Sequence, residues 1–239
     1  MTVAAVILCA TPDVALVDAA GRPAVRRIVE SAWAGGAVPI IVVAPDRDGL
    51  VANALAGSSA VLAEPAPPDG GPVGQIVRGA TVAQSQVSET EGFLIWPARM
   101  TWVDPETVTS LLEGHGLRRN AVLRPSFEGE PGWPVLLPVQ HLERFSRLPA
   151  AHMPDELIAD LAVSGAAAEP IDLGDPGVSQ DHSVPLDELP VYTGPPEPAG
   201  GPPPEWGASA DTQFDESPED SPLEGPALAP YGQAVDPEQ

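Results

Sequence analysis

Short continuous apolar runs alternate along the chain with segments in which apolar residues recur at helical spacing. The first run, residues 3–10, is rich in β-branched side chains and is followed by Thr11 and Pro12. Such a run is typical of a strand that is buried on both faces. Further strands are predicted at residues 38–44, 61–64, 92–96, 121–124, 133–139 and 171–173.

The segments between these strands predict helices. The first begins at Pro23 and ends at Gly35 and Gly36, and its predicted buried face comprises Val25, Ile28, Val29, Ala32 and Trp33. Others are predicted near residues 50–55, 72–84, 105–112, 140–147 and 154–161. Asp104 followed by Pro105 is the clearest helix start, because aspartate caps a helix and proline suits its first position. This alternation indicates an α/β domain with an open, mostly parallel sheet covered on both faces.

The composition changes at Pro190. From there to the end the chain contains 12 prolines, 10 acidic residues and no basic residue. Because few large apolar side chains remain, we expect residues 190–239 to be a disordered acidic tail and residues 1–189 to form the folded domain. The tail is either a solubilising extension or a docking segment for a protein partner, with Trp206, Phe214 or Tyr231 as anchors.

The overall charge bears on partners and location. The chain carries a formal charge of −23, from 34 acidic and 11 basic residues, all of them arginine. This excess argues against nucleic acid as a partner. The apolar amino-terminal run is short and has no basic residue before it, so neither a signal peptide nor a membrane span is predicted. Cys9, the single cysteine, is expected to be a buried core residue in a cytoplasmic protein.

Several segments together resemble a known family. The resemblance rests on residues 3–8, on Gly21-Arg22-Pro23, on residues 102–108 and 129–136, and on a closing motif at 175–181. In their order and spacing these segments resemble the MobA-like nucleotidyltransferase family, which attaches a nucleotide to molybdopterin or a similar small acceptor. The resemblance implies a three-layer, doubly wound, Rossmann-like sheet of the nucleotide-diphospho-sugar-transferase type, across residues 3–189.

The chain departs from the family's pattern at three positions. The first loop, residues 11–18, is short, contains no glycine and carries Asp13 and Asp18 where the family has cations that neutralise a triphosphate. Arg99 stands where the family's Asp-Met-Pro motif has its magnesium-binding aspartate, and arginine cannot bind Mg²⁺. Trp133 replaces the histidine of the family's Gly-His-Pro segment.

The resemblance nevertheless supplies candidate site residues. Nucleotide contacts are expected at the end of the first strand and on two helices, from Leu8, Cys9, Ala10, Arg22, Gly74, Gln75 and Arg78. Asp181, in the closing motif, is the weak candidate for a metal ligand, and no catalytic residue is assigned. For the arginines the alternative is an ordinary surface ion pair, and for Asp13 and Asp18 it is a turn or cap.

Two functions remain open. In the first, the protein is a catalytically impaired or inactive relative that binds a nucleotide, a cofactor or another small molecule, or serves as a scaffold. In the second, it is an active, divergent nucleotidyltransferase that moves a nucleotide from an NTP to molybdopterin or a similar acceptor. Mg²⁺ is expected as a cofactor only under the second.

Overall fold

The computed structural model describes residues 2–195. Its centre is an eight-stranded mixed sheet with the order β3-β2-β1-β4-β7-β5-β6, and β8 also pairs with β5. The strands are β1 (Thr2–Leu8), β2 (Ile40–Val43), β3 (Ala60–Ala63), β4 (Thr90–Pro97), β5 (Val122–Phe127), β6 (Glu130–Pro131), β7 (Val135–Pro138) and β8 (Ala168–Asp172). β1 to β4 are mutually parallel, and β7 inserts antiparallel between β4 and β5. The mostly parallel α/β sheet predicted from the sequence is therefore confirmed.

Seven α-helices accompany the sheet within residues 2–195. They are α1 (Pro12–Leu16), α2 (Ala24–Ala34), α3 (Leu50–Ala54), α4 (Gly71–Gln86), α5 (Pro105–Leu117), α6 (Leu142–Phe145) and α7 (Pro154–Val163). The capping prediction for α5 is confirmed, since the Asp104 carboxylate accepts a hydrogen bond from the Glu106 amide at 2.9 Å. Asp175 reinforces this helix start by accepting from the Asp104 amide and the Thr107 hydroxyl.

The core lies on both faces of the sheet. β1 is buried over its central five residues and every residue of β2 is buried, as their uninterrupted apolar runs predict. On one face, α4 approaches so closely that a Cβ added to Gly79 would stand 2.2 Å from Val6 Cγ1. The absence of a side chain at Gly79 lets α4 pack directly on the sheet. The amino-terminal end of α4 then lies beside the carboxyl ends of the strands.

Three local expectations are corrected. Cys9 follows β1 rather than lying within it, although it is buried as predicted. Trp33 is 56% exposed and lies beside Arg26 and Glu30, because it stands at the edge of the α2 stripe whose centre packs inward. The segment after β1, predicted as a loop, contains the one-turn helix α1.

The boundary predicted at residue 189 lies within the described part of the chain. The described chain continues to Pro195, and the Thr193 amide donates a hydrogen bond to the Gly174 carbonyl at 2.9 Å. The remaining part of the predicted acidic tail, residues 196–239, lies outside the described residues.

Candidate functional site

A cleft lies at the carboxyl ends of β1, β2 and β4, where open parallel sheets usually bind ligands. Its central part, the apolar chamber, has a volume of about 340 Å³. It is walled by the ends of these strands, by α1, and by the amino-terminal ends of α4 and α7. The residues that line it are Leu8, Cys9, Ala10, Val14, Val43, Pro72, Gln75, Pro97, Ala98, Arg99, Met153 and Pro154.

Two neighbouring spaces continue the cleft. The polar chamber, about 390 Å³, shares Arg99 with the apolar chamber and is lined by Arg99, Met100, Pro131, Trp133, Asp155, Val178, Ser179, Gln180, Asp181, Ser183 and Val184. A wider groove of about 700 Å³ shares Cys9, Ala10 and Gln75 with the apolar chamber and includes Asp46, Arg47 and Glu64. Four predicted residues, Leu8, Cys9, Ala10 and Gln75, thus meet in one cleft.

The first loop turns into helix α1 instead of an open phosphate-binding turn. The Thr11 hydroxyl accepts a hydrogen bond from the Val14 amide at 3.4 Å, and Pro12 takes a first-turn position. Val14 faces the apolar chamber, while Asp13 lies in the first turn and Asp18 forms an isolated β-bridge with Pro23. The segment therefore presents an apolar side chain to the cleft, while Asp13 and Asp18 belong to the start of α1 and to the bridge that follows it.

The α4 candidates hold the loop that follows β3. Both polar atoms of the Gln75 amide bond to Ala66: Oε1 accepts from its backbone N–H at 2.8 Å, and Nε2 donates to its carbonyl at 3.0 Å. Arg78 Nε donates to the Glu64 carbonyl at 3.2 Å. Gly74 lies one residue before Gln75, and an added Cβ there would meet Ala66 at an ordinary 3.6 Å.

Arg99 belongs to a three-residue ion-pair cluster that joins the strand ends to α7. Its Nη2 lies 3.3 Å from Asp155 Oδ2, while Arg124 Nη2 lies 2.7 Å from Asp155 Oδ1. Arg124 also donates to the Gly132 carbonyl and stacks over Trp133 at 5.4 Å from the ring centroid. Asp155 is thus the internal counter-ion of both Arg99 and Arg124.

Asp181 lines the polar chamber and is ionised under ordinary conditions. Burial raises the pKa of its carboxyl, but hydrogen bonds from the Ser183 hydroxyl and amide, with the charges of His182 and Arg99, lower that pKa below its usual value. Its Oδ1 accepts from Ser183 N at 2.8 Å and from Ser183 Oγ at 2.5 Å.

The surroundings of Asp181 do not fit a resident Mg²⁺. One carboxylate oxygen is already engaged, and the guanidinium of Arg99 lies in the same chamber. In residues 2–195 no group of three or more His, Cys, Asp or Glu side chains could hold a metal ion. Asp181 as a metal ligand remains a prediction.

Two further candidates, Arg22 and Cys9, differ in their surroundings. Arg22 pairs with Glu30 at 2.6 Å on the surface of α2, which is the alternative that the sequence left open. Burial raises the pKa of the Cys9 thiol to about 12, so the thiol is neutral and contributes apolar surface to the cleft. No contact in the described residues points to a nucleophilic role for Cys9.

Sequence reasoning missed Asp155, Arg124 and Met153. Asp155 is 56 residues from Arg99 in sequence and 31 from Arg124, so nothing in the local pattern connects them. The sequence does predict that a helix begins at Pro154, as α7 does. Its position over the cleft depends on tertiary packing alone.

The fold and the strand-end cleft define an α/β protein with a ligand-sized space at the carboxyl edge of its sheet. The model of the MobA-like NTP transferase domain matches residues 11–164, more than half of the chain. The chain therefore belongs to the MobA-like NTP transferase family. No curated protein matches it significantly.

Solved structures share the architecture at low identity. A nucleotidyl transferase from Methanothermobacter is 17% identical, with a TM-score of 0.58 over 72% of this chain and 87% of that one. A 4-diphosphocytidyl-2C-methyl-D-erythritol synthase is 16% identical, with a TM-score of 0.56 over 78% and 94%. Rv0371c from Mycobacterium tuberculosis, solved with manganese, is 16% identical, with a TM-score of 0.54 over 72% and 90%. At these identities the likeness establishes the fold alone.

Proposed function

We propose that this chain binds a small molecule in its strand-end cleft without transferring a nucleotide. The observation that carries this proposal is that the cleft's principal polar side chains already bond to the protein. Gln75 bonds to Ala66 through both amide atoms, and Arg99 pairs with Asp155. Besides Arg99, Arg47 in the wide groove is the one arginine among the described lining residues, so few groups remain to neutralise the charge that builds up on a departing pyrophosphate.

The wall of the cleft supports the same proposal. Val14 from α1 and Met153 from the start of α7 face the space next to Cys9 and Ala10. An apolar wall cannot replace the hydration of a triphosphate, because buried charges need paired or hydrogen-bonding partners. Affinity for an uncharged or singly charged small molecule is compatible with this lining.

One observation favours an active enzyme as the second candidate. Asp181 keeps a low pKa and lines the chamber next to Arg99, so an ionised carboxylate is present at the family's closing motif. If Arg99 supplied the positive charge that a metal otherwise provides, some transfer from an NTP to an acceptor such as molybdopterin would be expected. A direct assay separates the two candidates.

The test measures pyrophosphate release by the full chain from each of the four NTPs, with and without Mg²⁺ and with a molybdopterin-containing acceptor. We expect no release above the protein-free control. Isothermal titration with the same NTPs is expected to show no Mg²⁺-dependent binding. Mg²⁺-dependent release, or micromolar Mg²⁺-dependent binding of any NTP, would overturn the proposal.

A pair of variants sharpens the result. Arg99→Asp restores the carboxylate of the family's motif, while Arg118→Asp makes the same charge change at a surface ion pair with Glu169. We expect neither variant to release pyrophosphate, because α1 still fills the place of the phosphate-binding loop. Turnover in Arg99→Asp alone would show that the α1 argument is wrong.

A further inference from the structure

We propose that the apolar chamber binds a small amphiphilic carboxylate. Its hydrocarbon part would lie against Leu8, Val14 and Met153, and its carboxylate would pair with Arg99. The proposal rests on the proposed function, since it names the class of ligand that a non-transferring cleft would hold. It is tested by binding, separately from any assay of nucleotide transfer.

The shape and lining of the chamber define the apolar part of the ligand. Its volume of about 340 Å³ falls at the lower end of the range for small-molecule sites, about 300–1,000 Å³. Its wall combines aliphatic side chains with prolines from separate elements, including Pro97 and Pro154. Cys9 adds a neutral thiol, because burial raises its pKa to about 12. Such a lining favours methylene groups or an apolar ring over a hydrated sugar or phosphate.

The charge of the chamber defines the head group. Among the described residues that line it, Arg99 carries the single formal charge, and 39% of its side chain is exposed. An arginine fork recognises a carboxylate through parallel hydrogen bonds. A triphosphate would need several cations where this chamber offers one, so one negative charge matches it best.

Arg99 already pairs with one carboxylate in the protein, that of Asp155. That contact is loose, because 3.3 Å is beyond the usual 2.7–3.2 Å for a hydrogen bond from nitrogen to oxygen. Arg124 holds the same carboxylate at 2.7 Å, and 15% of its own side chain is exposed. Arg99 can therefore turn to a ligand while Asp155 stays paired with Arg124 and Asp181 keeps its hydrogen bonds from Ser183.

The experiment is isothermal titration of the full chain at pH 7.5 with octanoate, and with octan-1-ol as a probe that has the same chain length and no charge. We expect saturable binding of octanoate, with octan-1-ol at least tenfold weaker. Arg99→Gln should weaken octanoate binding about ten- to a hundredfold, as expected for the loss of a hydrogen bond to a charged group. Asp155→Asn should strengthen it, because it removes the competing negative charge.

Controls separate a lost site from a lost fold. Arg118→Gln removes an arginine from a surface ion pair and should leave octanoate affinity unchanged. Val14→Asp places a carboxylate in the chamber, where it would repel that of the ligand, and should abolish binding. Circular dichroism of each variant reports whether it is folded. The proposal is overturned if octanoate fails to bind at millimolar concentration, if folded Arg99→Gln binds it as well as the unaltered chain, or if octan-1-ol binds equally well. Pyrophosphate release would contradict the proposed function, whereas the octanoate titrations alone decide whether the chamber binds a carboxylate.

Discussion

His115 lies in the last turn of α5 with 1% of the residue exposed, and within the described residues neither ring nitrogen has a hydrogen-bond partner. Its Nε2 lies next to Gly92 of β4, 3.4 Å from the position that a Cβ added to this glycine would occupy. Burial lowers the pKa of the imidazole below its ordinary value, and the charge of nearby Arg119 adds to this while Glu91 opposes it. The folded protein therefore favours the neutral imidazole of His115, because a protonated ring would have no hydrogen-bond acceptor among the described residues.

We expect acid to destabilise the fold through this residue. The unfolded chain takes up the proton near the ordinary pKa of about 6.5, whereas the folded chain takes it up only at lower pH. Stability is thus fully present above about pH 6.5 and falls as the pH drops below that value. The measurement is the thermal midpoint between pH 7.5 and 5.5 for the unaltered chain and for His115→Leu.

The variant should lose less stability than the unaltered chain over that interval. His141→Leu is the matched control, because His141 is a half-buried histidine whose ring bonds to the Asn120 carbonyl. An equal loss of stability in the unaltered chain and in His115→Leu would show that the acid sensitivity arises elsewhere.

At the residue scale, the sequence predicted burial but not the pairing of side chains that are distant along the chain. The buried state of Cys9 was predictable, because it ends an uninterrupted apolar run. The pairing of Arg99 with Asp155 was not, because it joins residues 56 positions apart on a strand-end loop and a helix. Gln75 lines the cleft and its nucleotide contact stays a prediction, while its bonds to Ala66 depend on the path of a loop that contains several prolines.

At the scale of elements, α4 shows how one glycine sets the distance between a helix and the sheet. A Cβ on Gly79 would meet Val6 Cγ1 at 2.2 Å and Val43 Cγ2 at 3.1 Å. Both valines belong to central strands, so neither can move far without disturbing the sheet. The amino-terminal end of the same helix contributes Pro72 and Gln75 to the cleft.

Gly79→Ala should therefore destabilise the protein by overpacking. We expect a cost of about 1–3 kcal/mol, which lowers the thermal midpoint by about 2–4 °C per kcal/mol in a domain of this size. The matched control is Gly74→Ala in the same helix, where the new Cβ would meet only Ala66 at 3.6 Å. The control should keep or slightly raise the midpoint, since alanine favours helix over glycine. Similar effects of the two substitutions would mean that the contact with Val6 is not limiting.

Elements with strong periodicity were predictable, and short or irregular ones were not. β1, β2, β4 and α5 follow the apolar pattern and the Asp104–Pro105 start, because burial and capping act locally. Helix α1 has only five residues, so its hydrophobic pattern is too short to recognise. The antiparallel direction of β7 is set by its neighbours in the sheet, and an apolar run carries no information about direction.

At the scale of the whole molecule, the topology explains why part of the cleft was predictable. Parallel strands β1, β2 and β4 bring their carboxyl ends to one edge, so Leu8, Cys9 and Ala10 were expected to meet a ligand there. The opposite wall comes from α7, whose first turn follows a long connection after β7. Its position depends on packing between distant segments. Within residues 2–195 every helix falls short of the length and hydropathy that a membrane span requires.

The carboxyl-terminal limit of the folded domain lies close to residues 190–195. Residues 190–195 follow the predicted boundary, yet Thr193 bonds to the Gly174 carbonyl. Gly174 has φ of 63°, and an added Cβ would stand 2.7 Å from Thr193 Oγ1. Backbone contacts this close indicate that residues 190–195 contribute to the packing of the turn after β8.

Two truncations test the limit. Ending the chain after Pro195 removes 10 acidic residues and should leave the thermal midpoint unchanged, because the composition of residues 196–239 offers little apolar surface for a core. Ending it after Leu189 also removes the Thr193 hydrogen bond, which contributes about 1 kcal/mol, and should lower the midpoint by about 2–4 °C. Equal midpoints for the two truncations would place the boundary at residue 189, as composition alone predicts. A loss of stability on ending at Pro195 would instead mean that residues 196–239 stabilise the domain, and that their acidic, proline-rich composition understates their contribution.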